Sequence, residues 1–182
     1  MSSRFERTGS TVVHEGKVLT LSVETFRHED GEEVTREVAR HQGAVAVVAH
    51  DDEHVYLVRQ PREAIGVPDF LEIPAGKLDV EDEPPLETAK RELAEEIGKA
   101  ADAWEEIASF YTTAGFSDEL IRVYLATGLS DAQAETEENE RIDVVTHPLA
   151  DLDALIDANR DAKTLIGLLE LRRRRRAAAP PA

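Results

Sequence analysis

The sequence predicts an α+β fold, a mixed β-sheet packed by helices, and three observations carry that reading. Short apolar or alternating runs recur along most of the chain. Residues 84–98 have the apolar spacing and the end signals of a helix. Two further helical patterns close the chain. Strands and helices in this mixture bury their apolar faces by laying helices on the sheet. The 182 residues suit one domain, and a hydrophobic content of 41% is enough to fill its core.

Each element has its own local reason. Residues 11–40 read as strands: KVLTLSVETF alternates apolar and polar, HEDGEE is a turn, and EVTREVARH resumes the extended pattern. GAVAVVAH (Gly43–His50) is a continuous apolar run, as expected of a strand buried on both faces. DDE turns the chain into HVYLVRQ (His54–Gln60), so these two runs form a hairpin. DFLEIPAGKLD is a short strand entering a glycine loop. In the helix that follows, Pro84 and Pro85 suit a first turn, where the missing N–H groups would lack partners anyway. Asp82 is the expected cap and Gly98 is placed to end the helix. WEEIASFYTT and ELIRVYLATG are strands separated by the loop AGFSDE, AETEENER is an acidic loop, and IDVVTHPL is a last strand. ADLDALIDANR and DAKTLIGLLELRRR are helical. The basic end LRRRRRAAAPPA, residues 171–182, reads as a disordered tail that pairs loosely with the acidic body.

Charge and composition exclude several functions. There is no cysteine, so disulfides, thiolate metal sites and a cysteine nucleophile are ruled out. The formal charge of -17, from 38 Asp and Glu against 21 Lys and Arg, repels polyanions, so nucleic acid is not expected as a partner. Such a chain repels itself at low salt, which points to a host with a salty cytoplasm. MSSRFERTGS has no apolar leader, and no stretch approaches the roughly 18 apolar residues of a membrane span. A cytoplasmic protein without a membrane partner is expected. His14, His28, His41, His50, His54 and His147 show no HExxH spacing, and there is no GxxxxGK loop.

The segment KRELAEEIGK (Lys90–Lys99) carries the chemistry. At 100° per residue, Leu86, Ala89, Leu93 and Ile97 fall within about 80° of one another and form a buried stripe. Glu92 and Glu96, at i and i+4, stand side by side next to that stripe, with Glu95 one step further round. Arg91 has Glu87 and Glu95 at i−4 and i+4, whereas Glu92 and Glu96 have no local cation on the wheel. Two adjacent carboxylates repel unless a cation lies between them. Clustered carboxylate oxygens suit Mg²⁺ or Mn²⁺.

From Gly76 the chain reads GKLDVEDEPPLETAKRELAEEIGK. This resembles the Nudix box at Gly76, Glu83, Arg91, Glu92, Leu93, Glu95, Glu96 and Gly98, with six residues between Gly76 and Glu83 where the pattern has five. RQPREA, LEIPAGKLD, AGFSDE and EENERIDVV follow the order seen in the ADP-ribose pyrophosphatase branch of Nudix hydrolases. Ala114 stands where that branch typically carries a proline, before GF.

The resemblance implies a Nudix-type mixed sheet packed between helices, with an N-terminal antiparallel strand region. It implies a strand region at 1–41 that forms a homodimer and a hydrolase domain at 42–170, while the basic tail at 171–182 is read from the arginine run itself. It implies Mg²⁺-dependent hydrolysis of a nucleoside diphosphate derivative, ADP-ribose to AMP and ribose 5-phosphate, with Mn²⁺ as a substitute ion. A broader nucleotide-sugar or dinucleoside-polyphosphate hydrolase stays open because of Ala114. A nucleotide sensor without turnover is the alternative from another class, and it would be expected to have lost box acids, whereas Glu92, Glu95 and Glu96 are all present. By resemblance the metal ligands are Glu92, Glu95, Glu96, the carbonyl of Ala75, and Glu140. Glu138 is the base, in a loop that also holds Glu135 and Glu137, and Glu95 and Glu96 complete the catalytic set. Arg62, Glu72, Gly115, Phe116, Ser117 and Glu119 contact substrate, and Phe26 and Phe116 are candidates to stack on adenine.

Overall fold

The computed structural model describes residues 4–133 and 141–178. Its contacts divide into two compact units.

The first unit comprises Met1–Gly43 with Phe110–Leu120. Strands β1 (Phe5–Glu15), β2 (Thr20–His28) and β3 (Glu33–Arg40) form an antiparallel sheet in the order β1-β2-β3. The strand region expected from residue 11 therefore begins at Phe5. Every residue of β1 is exposed, so no buried face imposes the alternation by which a strand is read from sequence. Phe5 packs edge-on against Phe26, with ring centroids 5.6 Å apart. The segment after Phe110 is tied to β3: the Ala39 N–H donates to the Phe116 carbonyl at 2.7 Å, and Asp118 accepts from the His41 N–H and from Arg40.

The second unit comprises Ala44–Ser109 with Ile121–Ala182. Its sheet is built from β4 (Ala44–His50), β5 (His54–Arg62), β6 (Val67–Glu72), β7 (Ala75–Lys77), β8 (Lys99–Tyr111), β9 (Leu120–Asp131) and β10 (Asp143–Pro148). The order is β10-β5-β4-β9-β8, with β6 on β5 and β7 on β4. β4 runs parallel to β9 and antiparallel to β5 and β7, which makes the sheet mixed.

β4 is buried on both faces, as its unbroken apolar run predicts: Val45 to Ala49 have no exposed surface. Val45, Val47 and Ala49 pack with Ala89, Leu93 and Ile97 of helix α1 (Pro85–Ile97). Val48 faces the other side, under Gly167 of α3 (Ala162–Ala178). A Cβ on Gly167 would stand 2.6 Å from Val48 Cγ2 and 3.2 Å from Ile73 Cδ1, so only glycine lets that helix lie so close. α2 (Leu152–Ala158), which precedes α3 in the chain and packs against it, buries Leu152, Leu155 and Ile156. The sheet is thus packed between helices, as expected.

Two local expectations are corrected. Asp82 does not cap α1: it takes a positive φ of 61° in the preceding turn, and Pro84 occupies the cap position without a side-chain bond. Gly98 does end the helix, at φ 66°, its N–H donating to Ala94. The arginine run is not a disordered tail over Leu171–Ala178, because α3 continues through it. Arginine is a good helix former, and acids of the body meet it. Arg174 pairs with Glu105 and Glu170, Arg172 and Arg176 with Asp153, and Arg173 with Glu170.

Candidate active site

Glu92 and Glu96 are held where α1 crosses β7. Leu93 and Ile97 anchor the helix in the core, which fixes the rotation of the residues between them. The Ala75 N–H donates to Glu96 Oε2 at 2.9 Å, and Glu96 is 8% exposed. A Cβ on Gly76 would lie 2.0 Å from Glu92 Cδ, so the Glu92 carboxyl rests directly on the glycine backbone. One two-residue strand segment thus seats both carboxylates, and β4 holds that segment through the pairs Ala46↔Ala75 and Val45↔Gly76.

Arg91 collects the acids on the outer side. Its Nη1 donates to Glu92 and to Glu95 at 2.9 Å each, and its Nε and Nη2 reach Glu83 at 3.4 and 3.3 Å. Glu92 therefore has a local cation after all, because adjacent long side chains bend toward each other beyond what a helical wheel shows. Glu87, the other expected partner of Arg91, pairs with Lys90 instead. Burial works against the Arg91 charge, but Glu83, Glu92 and Glu95 outweigh it and hold its pKa above the ordinary arginine value. Arg91, then Thr88, lowers the Glu83 carboxyl below the usual range. The extra residue before Glu83 leaves it in place against Arg91.

A second charged group adjoins the Ala75 loop. Glu72, 1% exposed at the end of β6, accepts from Arg62 Nε at 2.5 Å and from Nη2 at 2.9 Å. Lys163, in the first turn of α3, pairs with the same Glu72 and with Asp161 at 2.9 Å. Glu72, then Asp161 and Glu96, raises the Arg62 pKa against the opposing effect of burial. Sequence reasoning misses Lys163. It lies 91 positions from Glu72, and nothing local marks a lysine on a helix as the partner of a buried acid.

The remaining substrate candidates lie in the first unit. Ser117 Oγ accepts from the Glu119 N–H at 3.2 Å, and the Glu119 carboxylate accepts from Thr112 Oγ1 at 2.7 Å. Gly115 has open space where a Cβ would stand, so no close approach demands glycine there. Phe26, Arg36, Ala114, Gly115, Phe116 and Ser117 line a cleft of about 480 Å³. Phe116 is exposed. Glu138 and Glu140, with Glu135 and Glu137, lie outside the described residues.

Among the described residues, no three His, Asp or Glu side chains converge as a ready cation cage. The donor set still fits a hard divalent ion. Glu92 and Glu96 offer carboxylate oxygens from one helix face onto one strand, β7, and Mg²⁺ commonly takes one or two carboxylates and fills its shell with water and phosphate.

An acidic helix seated by two of its glutamates on a glycine strand, within a mixed sheet covered by helices, defines a class. The NUDIX domain model matches residues 39–168, and the chain belongs to this family. Members of the family generally use divalent metals. Among its relatives, an ADP-ribose pyrophosphatase of Mycobacterium tuberculosis is 43% identical over 150 residues, covering 81% of this chain and 72% of that protein. An ADP-ribose pyrophosphatase of Bacillus subtilis is 39% identical over 170 residues, covering 90% and 91%. A crystal structure of an ADP compounds hydrolase superposes with a TM-score of 0.83 over 96% of this chain and 95% of that one, at 20% identity, a likeness of fold.

Proposed function

We propose that this chain hydrolyses the pyrophosphate bond of ADP-ribose to AMP and ribose 5-phosphate, with Mg²⁺ as the working ion and Mn²⁺ as a substitute. The observation that carries the reading is the seating of Glu92 and Glu96 on the Ala75–Gly76 backbone. The names of the relatives at 43% and 39% identity supply the substrate.

Glu92, Glu96 and the Ala75 carbonyl would hold the ion, assisted by Glu95 and by Glu140. A divalent ion bound there neutralises the diphosphate and lowers the pKa of water. Arg62 uses the guanidinium edge not taken by Glu72 to orient the diphosphate. Glu138 takes the proton of the attacking water. The water oxygen joins one phosphorus, and the bridging oxygen leaves with the other. Gly115, Phe116, Ser117 and Glu119 shape the substrate loop, and Phe26 and Phe116 offer aromatic faces to adenine.

The reading extends to the assembly and its setting. The N-terminal strands form a homodimer, which would cover the exposed Val12 and Val13 of β1. The protein works in a salty cytoplasm, where its charge of -17 is screened. No described helix is long and apolar enough to cross a membrane.

Glu96→Gln keeps an oxygen to accept from Ala75 while removing the charge a metal needs. It is expected to lose more than about 100-fold in turnover, beyond the range typical of a metal's outer partners, with the fold retained. Wild-type turnover in this variant would reject the site. Undiminished hydrolysis in excess EDTA would reject the metal mechanism.

A further inference from the structure

We infer that Lys163 is a positioning residue for Arg62, fixing which edge of the Arg62 guanidinium an anionic ligand meets. The inference rests on the reading of Arg62 as a diphosphate contact.

The geometry around Glu72 leads to it. Glu72 is buried, and a buried carboxylate needs its charge matched and its lone pairs occupied. Arg62 approaches with Nε on Oε1 and one Nη2 hydrogen on Oε2. Lys163 adds a further bond to Oε2 from α3. Its ammonium is held from the other side by Asp161, which caps α3 by accepting the Thr164 N–H at 3.0 Å. Thr164 in turn accepts the Ile73 N–H at 2.9 Å, next to Glu72 in the chain. Helix and strand end are thus tied together, and the Lys163 ammonium is placed between Glu72 and Asp161.

The charges explain what this does. Two cations, Arg62 and Lys163, meet two anions, Glu72 and Asp161. With Lys163 sharing Glu72, no hydrogen bond of Arg62 Nη1 appears among the described residues, and the side chain is 42% exposed. That edge is free to take a phosphate oxygen in a two-pronged geometry. Without Lys163 the group carries an excess negative charge. Arg62 must then neutralise Glu72 alone, while the surplus anion repels a diphosphate.

The test is a double-mutant cycle on binding of ADP, measured by calorimetry in EDTA, so that hydrolysis and metal play no part. Lys163→Met is expected to weaken ADP binding about tenfold, as Arg62→Ala does, and the double variant to lose little more than either. Lys163→Arg is expected to stay within about twofold of wild type, because the charge remains. In turnover, Lys163→Met should raise KM by more than it lowers kcat. Lys163→Met binding like wild type overturns the inference, and so does an equal further loss in the Arg62→Ala background, which a merely structural lysine would give. Should Lys163→Met unfold, Lys163→Gln takes its place, with the same loss of binding expected and the same two results overturning the inference. A wild-type protein that binds ADP and leaves ADP-ribose intact overturns the hydrolase reading alone.

Discussion

Gly76 shows how a single residue decides the site. Its backbone is where the Glu92 carboxyl rests, and any side chain would occupy that place. In Gly76→Ala the new Cβ meets the far end of a flexible side chain, so the carboxylate can swing aside without moving the backbone. The variant should therefore melt close to wild type while kcat/KM falls about tenfold or more, equivalent to roughly 1.4 kcal/mol in the transition state. Paired melting and kinetic measurements check this; a large loss of stability with kinetics intact would contradict it. The seating is half legible in the sequence. The spacing of Glu92 and Glu96 puts both beside the buried stripe, and Gly76 stands at the right distance before them. The Arg91–Glu92 bond is not legible, because side-chain flexibility lies outside a wheel. Nor is Lys163, since pairing across 91 residues depends on tertiary folding alone.

At the scale of elements, the C-terminal half of α3 carries a pH dependence. Arg173, then Arg174, holds the Glu170 carboxyl down at about 2, with burial opposing, against an ordinary value of 4.5. A carboxyl depressed by folding binds its proton more weakly in the folded chain than in the unfolded one. Its stabilisation is therefore complete above about 4.5 and is lost as pH falls toward 2. Asp153, held low first by Arg172, shifts in the same direction. The helical NMR shifts of residues 171–178 should accordingly weaken across that window before those of α1 do; simultaneous loss would show that these ion pairs do not hold the helix end. Most elements are legible because burial stamps a pattern on them, as in β4. Those that mislead lack such a stamp. β1 has no buried face, and the arginine run looks like a tail until Glu105 and Asp153 are placed beside it. The cap of α1 is hidden because Asp82 serves a turn with positive φ.

For the molecule as a whole, net charge is the dominant variable. With -17 charges, self-repulsion opposes the folded state most strongly when screening is weak. The melting temperature should rise as KCl goes from dilute to molar, and light scattering in molar KCl should give a dimer of the 20.1 kDa chain. A flat or falling melting curve would reject the high-salt reading, and a monomer would reject the dimer.

The two-faced burial of β4 has a consequence for mutational tolerance. Val45, Val47 and Ala49 lie under the helix that carries Glu92 and Glu96, while Val48 lies under the helix that carries Lys163. Enlarging successive residues along this strand should therefore impair different properties in turn, with the parity of the position deciding which. Odd positions would disturb the acidic seat, and Val48 the cationic one. A core strand ordinarily reports only stability; this one would register two separable phenotypes, written with a period of two.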